Sequence, residues 1–175
     1  MTFVEKQGDY TYVAGAFKDY LYFNQDTIFS DHPLARLTMF IVQLDSNLDL
    51  VNEFHLSYSN SPAVANVTSP QFGKRQNGSL YVQVVNGDYR KIEIFKFDID
   101  LNVQWKKTFG NNNFGTYPRG LTVDNDENFY FQMFGYGAVD VDPDTAVTLN
   151  TSPIGGAGYG LLISLDSNGT YRWHM

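Results

Sequence analysis

Apolar and polar residues alternate along much of this chain. Leu80, Val82 and Val84 share one face of a strand, and Ile92, Ile94 and Lys96 oppose Phe95 and Phe97 on another. No window of a dozen residues holds apolar residues at the i, i+3, i+4, i+7 spacing of a helix. Asn77-Gly78, Asn86-Gly87 and Asn168-Gly169 are tight-turn signals, because Asn and Gly accept positive φ at little cost. The pattern predicts strands near 2–6, 10–17, 37–44 and 49–57, then 68–75, 79–86, 90–97 and 102–109, then 119–124, 128–135, 158–165 and 170–174.

The strands repeat. Stretches starting at Phe3, Phe72 and Leu121 each place a tyrosine nine positions on, at Tyr12, Tyr81 and Tyr130, followed by Val13, Val82 or Phe131. A polar turn lies between. A second signature follows each time. Leu44-Asp-Ser-Asn47, Phe97-Asp-Ile-Asp100 and Leu165-Asp-Ser-Asn168 each lead into a strand with a large aromatic, Phe54, Trp105 or Trp173. Two hairpins per repeat make four strands, the unit of a propeller blade. The expectation is one all-β, β-propeller-like domain over 1–175 with three four-stranded antiparallel blades near 1–57, 66–109 and 117–175. Three blades are fewer than the usual four to eight of a closed ring. The expected partners are therefore the remaining blades of a parent chain or a second copy. Met1 and Met175 both lie close to strands, which also leads to the expectation of a longer parent.

The connection between second and third strands varies most. In the second repeat it is a tight hairpin at Asn86-Gly87-Asp88. In the first and third it is long and contains its own strand-like pairs: Tyr20–Phe23 with Thr27–Phe29, and Val139–Asp142 with Ala146–Leu149. Insertions into repeats tend to gather on one face, often the binding face.

Composition agrees with an ordered β-protein: 43% hydrophobic and 16% aromatic. A net charge of −7 argues against a nucleic-acid surface, which needs clustered Lys and Arg. Lys74-Arg75, Arg90-Lys91 and Lys106-Lys107 read as rim charges at strand ends. The absence of cysteine excludes thiolate metal sites, thiol nucleophiles and disulfides. No segment has the roughly 20 apolar residues of a membrane helix, and Met1–Lys6 has no apolar run of a signal peptide.

The third repeat carries a family likeness. Val139-Asp-Val-Asp-Pro-Asp144, Thr148–Ser152, Gly155-Gly-Ala-Gly158, Leu161–Gly169 and Trp173 together resemble the bacterial β-propeller repeat called SBBP. In the first repeat Tyr22–Asp26 stands where Asp140–Asp144 does, and the Gly after Asn47 is missing; the second repeat lacks the insertion. The resemblance implies an extracellular or cell-surface module that binds or displays, with no catalytic residues to carry over.

Candidate chemistry is sparse. Asp140, Asp142 and Asp144 offer oxygens to Ca²⁺, which takes six to eight; equally, Asp142-Pro-Asp144 is an ordinary turn. Asp124, Asp126 and Asn128, like Asp98, Asp100 and Asn102 and Asp45 with Asn47, recur in register, which favours a shared turn chemistry over several metal sites. His32, His55 and His174 lack zinc spacing, and no Gly-x-Ser-x-Gly elbow, phosphate loop or dinucleotide fingerprint exists. Tyr20, Tyr22, Tyr117, Phe134, Tyr136 and Tyr159 lie at strand ends and loops, where rings stack on sugars or anchor a protein partner, or else fill the wedge between sheets. The expected function is non-enzymatic binding or display of protein or carbohydrate, without a required cofactor. The rivals are a calcium-assisted polysaccharide lyase or hydrolase and a purely structural spacer.

Overall fold

The computed structural model describes residues 3–30, 38–57, 71–72, 78–86, 91–110, 116–135, 137–144, 150–151 and 158–175. Among these residues the regular structure is all strand. The first four-stranded antiparallel sheet has the order β1 (Phe3–Gln7), β2 (Tyr10–Phe17), β5 (Thr38–Leu44), β6 (Leu50–Ser57), with the hairpin β3 (Tyr20–Phe23) and β4 (Asp26–Phe29) inserted. The second has β7 (Gln71–Phe72), β8 (Leu80–Asn86), β9 (Lys91–Phe97) and β10 (Val103–Phe109) in order. The third has β11 (Thr116–Val123), β12 (Phe129–Gly135), β15 (Tyr159–Leu165) and β16 (Tyr171–His174), with the hairpin β13 (Val139–Asp140) and β14 (Asn150–Thr151) inserted.

Two departures from the sequence reading stand out. Strand β11 starts at Thr116 and runs through Pro118, with a register shift between Pro118 and Gly120. An edge strand tolerates a residue with no N–H, and a bulge absorbs it. The outgoing strand of the second inserted hairpin is Val139–Asp140 alone, paired with Thr151 and Asn150, whereas the predicted return strand, Ala146–Leu149, lies outside the described residues. Residues 145–149 lie outside the described residues, as do Asn77, the Gly87-Asp88 turn, Gly155–Ala157, most of 68–75, and 58–65.

The sheets stack face to face. Tyr12, Ala14, Met39 and Ile41 of the first sheet pack on Leu80, Val82, Val84, Phe95 and Phe97 of the second. Tyr81, Ile92, Ile94 and Phe109, on the opposite face of the second sheet, pack on Phe129, Phe131, Met133, Ile163 and Leu165 of the third. The hairpin β3–β4 covers the far face of the first sheet, where Leu21, Phe23 and Ile28 meet Phe17, Phe40 and Val42. Alternation along each strand supplies both faces, so the middle sheet is buried on both.

One turn design recurs where the third strand of each sheet enters the fourth. Asp45, Asp98 and Asp166 each accept N–H bonds from the residues two and four positions on, at 2.8–3.0 Å. The residue at the fourth turn position has positive φ in each: Leu48 (67°), Leu101 (63°) and Gly169 (76°). The register then slips by one residue, at Val51, Gln104 and Arg172. Asp124 heads a fourth such turn between β11 and β12. Hydrogen bonds hold three of these carboxyls below the usual aspartate range. At Asp98 and Asp166 burial is the largest single influence and pushes upward, but the bonds together outweigh it; at Asp124 the Asn128 side chain leads.

Leucine in this left-handed position costs about 1–2 kcal/mol. Leu48 is 59% exposed, whereas Leu101 is 4% exposed and packs against the first sheet. Leu48→Gly is therefore expected to stabilise the fold by about 1 kcal/mol. Leu101→Gly is expected to destabilise by about 2 kcal/mol net, because lost burial exceeds the relief. Urea denaturation of both variants in dilute solution checks the opposite signs.

Candidate functional site

The groove between the second and third sheets brings ionisable side chains together beside two clefts. Its floor is the segment after β13. Val139 and Val141 are fully buried, which anchors the segment and turns the alternating residues outward. The Gly110 N–H, at the end of β10, donates to the Asp140 carbonyl at 3.2 Å and ties the segment to the second sheet. The Asp142 N–H donates to Asp140 Oδ1 at 3.2 Å and the Asp144 N–H to Asp142 Oδ1 at 2.9 Å. These are the local bonds of an Asx-turn.

Two clefts flank this segment. A cleft of about 360 Å³ is lined by Lys107 of β10, by Asp142, Pro143 and Asp144, and by Gly169, Thr170 and Tyr171. A second, of about 260 Å³, is lined by Lys91, Lys106, Thr108 and Gly110 opposite Asp140, Asp142, Pro143 and Asp144. Cations from the second sheet thus face carboxylates from the third across a concave surface. Lys106 also reaches Glu93 Oε1 at 3.4 Å. Gly169 is required at the rim of the larger cleft: a β-carbon there would lie 2.6 Å from Lys107 Cε and 3.2 Å from Trp105 Cδ2, at a φ of +76°.

Tyr171 completes the cleft. Burial first, and then the negative charge of Asp142, push its hydroxyl above the ordinary tyrosine value. It stays protonated at neutral pH and lies 2.6 Å from His174 Nδ1. Its ring packs against the core shared by the second and third sheets.

Among the described residues, no group of three or more His, Asp or Glu is placed to hold a metal ion. Asp140 and Asp142 each direct one carboxylate oxygen to a backbone N–H of their own segment. Also among the described residues, no helix is long and apolar enough to cross a membrane.

The aromatic candidates do not form one site. Tyr20 and Tyr22 lie together on β3, 52% and 66% exposed, with ring centroids 5.0 Å apart; Phe29, opposite Tyr20 on β4, is 65% exposed. Phe134 on β12 is half-buried, with the Arg119 guanidinium 5.8 Å from its ring centre. The Tyr159 hydroxyl donates to the Gly137 carbonyl at 2.7 Å and its ring packs on the core, so both ends of that side chain are engaged within the fold. Tyr117 lies on β11, and Tyr136 lies outside the described residues.

Sequence reasoning named Asp140, Asp142 and Asp144 but not their neighbours. Lys91, Lys106, Lys107, Thr170 and Tyr171 come from other strands, and the lysines read as rim charges. The available signal was the inserted hairpin itself, which had to lie against the preceding sheet. No protein-family model matches the chain, and no curated protein matches it.

Proposed function

We propose that this chain is a non-enzymatic, β-propeller-type module of an extracellular or cell-surface protein, and that it binds carbohydrate in the cleft beside Asp142. Three four-stranded sheets stacked through one recurring interface support the propeller reading. The SBBP resemblance of the third repeat supports the location. One observation carries the binding reading: two carboxylates, one ammonium group, a threonine hydroxyl and a neutral tyrosine converge on a cleft of about 360 Å³. Sugar hydroxyls both donate and accept, so they pair with Asp142 and Asp144 as acceptors and with Lys107 as donor. Calcium is not needed for this pairing.

The test is titration calorimetry against a panel of neutral and acidic oligosaccharides. Asp142→Asn keeps an oxygen for the Asp144 N–H and removes the charge. It is expected to weaken binding about tenfold to a hundredfold, as loss of a charge-assisted hydrogen bond does. Turnover of a polysaccharide that disappears in Asp140→Asn and Asp142→Asn would favour the enzymatic rival instead. Absence of any saturable ligand would favour the structural spacer.

A further inference from the structure

Each sheet presents a cross-strand row headed by a tyrosine to whatever follows it. In the first sheet the row is Tyr12, Gln43 and Asn52, in register across β2, β5 and β6. Gln43 Nε2 donates to Tyr12 Oη at 2.7 Å, and that hydroxyl donates at 3.0 Å to the carbonyl of Ile99, the second residue of the next sheet's Asp98 turn. In the second sheet the row is Tyr81, Lys96 and Trp105. Trp105 Nε1 and Lys96 Nζ both donate to the carbonyl of Ser167, at 3.1 and 3.2 Å. Ser167 is the second residue of the third sheet's Asp166 turn. Each row thus docks on the same carbonyl of the next turn.

The third sheet carries the row Tyr130, Ser164 and Trp173. Tyr12 and Tyr81 are fully buried, whereas Tyr130 is only half-buried. Its ring lies 6.0 Å from that of Trp173. Trp173 Nε1 has no hydrogen-bond partner among the described residues. The opposite end of the stack holds the matching half. Its Asp45 turn leaves the Ser46 carbonyl, which corresponds to those of Ile99 and Ser167, with no acceptor role among the described residues. Leu48 is 59% exposed there, where its counterpart Leu101 is 4% exposed beneath a sheet.

We infer that two copies of this chain join head to tail, each docking the outer face of its third sheet on the Asp45 turn and β3–β4 hairpin of the other. Trp173 Nε1 donates to the partner's Ser46 carbonyl, as Trp105 does to Ser167. The interface continues one already present twice within the chain. Charge favours it: Arg172, held on this face through Tyr130 Oη and Ser164 Oγ, both 3.3 Å away, meets a turn carrying Asp45 and Asp49. The hairpin is no obstacle, because β13 already lies between two sheets, with Val139 and Val141 buried in their shared core. Docking would also cover Tyr20, Tyr22 and Phe29, a cluster of exposed rings that otherwise faces water. Two such contacts close a ring of six sheets. The inference does not depend on what the Asp142 cleft binds.

Light scattering across a concentration series tests it. The expected result is a species of twice the 19.9 kDa chain mass, falling to single mass on dilution. Trp173→Phe keeps a ring and removes the N–H, and is expected to raise the dissociation constant about tenfold. Leu48→Arg sets a like charge opposite Arg172 and is expected to abolish the pair. Leu48 is exposed in a single copy, so this variant leaves the monomer folded, which circular dichroism checks. A monomer at every concentration overturns the proposal and assigns the face to a further module of the same type. A pair insensitive to both substitutions, or a ladder of larger species, also overturns it.

Discussion

Phe131→Ala is expected to cost about 3–5 kcal/mol of folding free energy, a large fraction of the roughly 5–15 kcal/mol that holds a domain folded. Phe131 is 1% exposed and sits where the second and third sheets meet. Its ring centre lies 4.7 Å from that of Phe109 and 5.6 Å from that of Phe129. The loss combines the transfer free energy of the ring with the cavity left between two packed sheets. Phe131→Leu, which keeps most of the volume, is expected to cost less than half as much. Tyr20→Ala, at a ring 52% exposed in one copy, is expected to change stability by under about 0.5 kcal/mol in dilute solution. Guanidinium denaturation followed by both tryptophan fluorescence and far-ultraviolet circular dichroism measures all three. Trp105 and Trp173 report on the second and third sheets, so fluorescence that leads dichroism would show those sheets parting before the first unfolds.

The sequence made the strands legible because strand burial has a period of two and the repeat enforces the same spacing three times. Tyr12, Tyr81 and Tyr130 mark that spacing, and the structure places all three on the same face of the second strand of their sheet. The Asp-headed turns were legible as shared turn chemistry. Their left-handed leucines were not, since Leu48 and Leu101 are poor signals for positive φ. Pro118 concealed the start of β11, and local pattern did not show that the outgoing strand of the second inserted hairpin stops at Asp140. The cleft was half legible. Asp140 and Asp142 announce themselves within one segment, but Lys107 and Tyr171 join them only through sheet stacking, which single-chain periodicity does not encode.

The stacking rests partly on one ion pair, and breaking it is the second large effect expected. Lys96 Nζ lies 2.6 Å from Glu127 Oε2, with side chains only 13% and 20% exposed. The pair links the middle strand of the second sheet to the β11–β12 turn of the third. Tyr81 Oη also donates to Glu127 Oε2, at 3.3 Å, and Lys96 Nζ lies 5.6 Å from the Tyr81 ring centre. Burial first, and then the Glu127 charge, raise the Tyr81 hydroxyl far above its ordinary value, so it acts as a donor throughout the physiological range. Glu127 holds a positive φ of 60°, so a glycine there would mix relief of strain with loss of charge. Glu127→Gln separates the two. It leaves the Lys96 ammonium half-desolvated with a neutral acceptor, and is expected to cost about 2 kcal/mol, between the values for exposed and fully buried pairs. Lys96→Met alone is expected to cost a similar amount, because the half-buried carboxylate then loses its ammonium partner. The double variant is expected to recover at least half of the summed losses, since neither partner remains as an unpaired charge. Additive losses in urea denaturation would mean that the two side chains stabilise the interface separately, through the Ser167 carbonyl for Lys96 and the Tyr81 hydroxyl for Glu127.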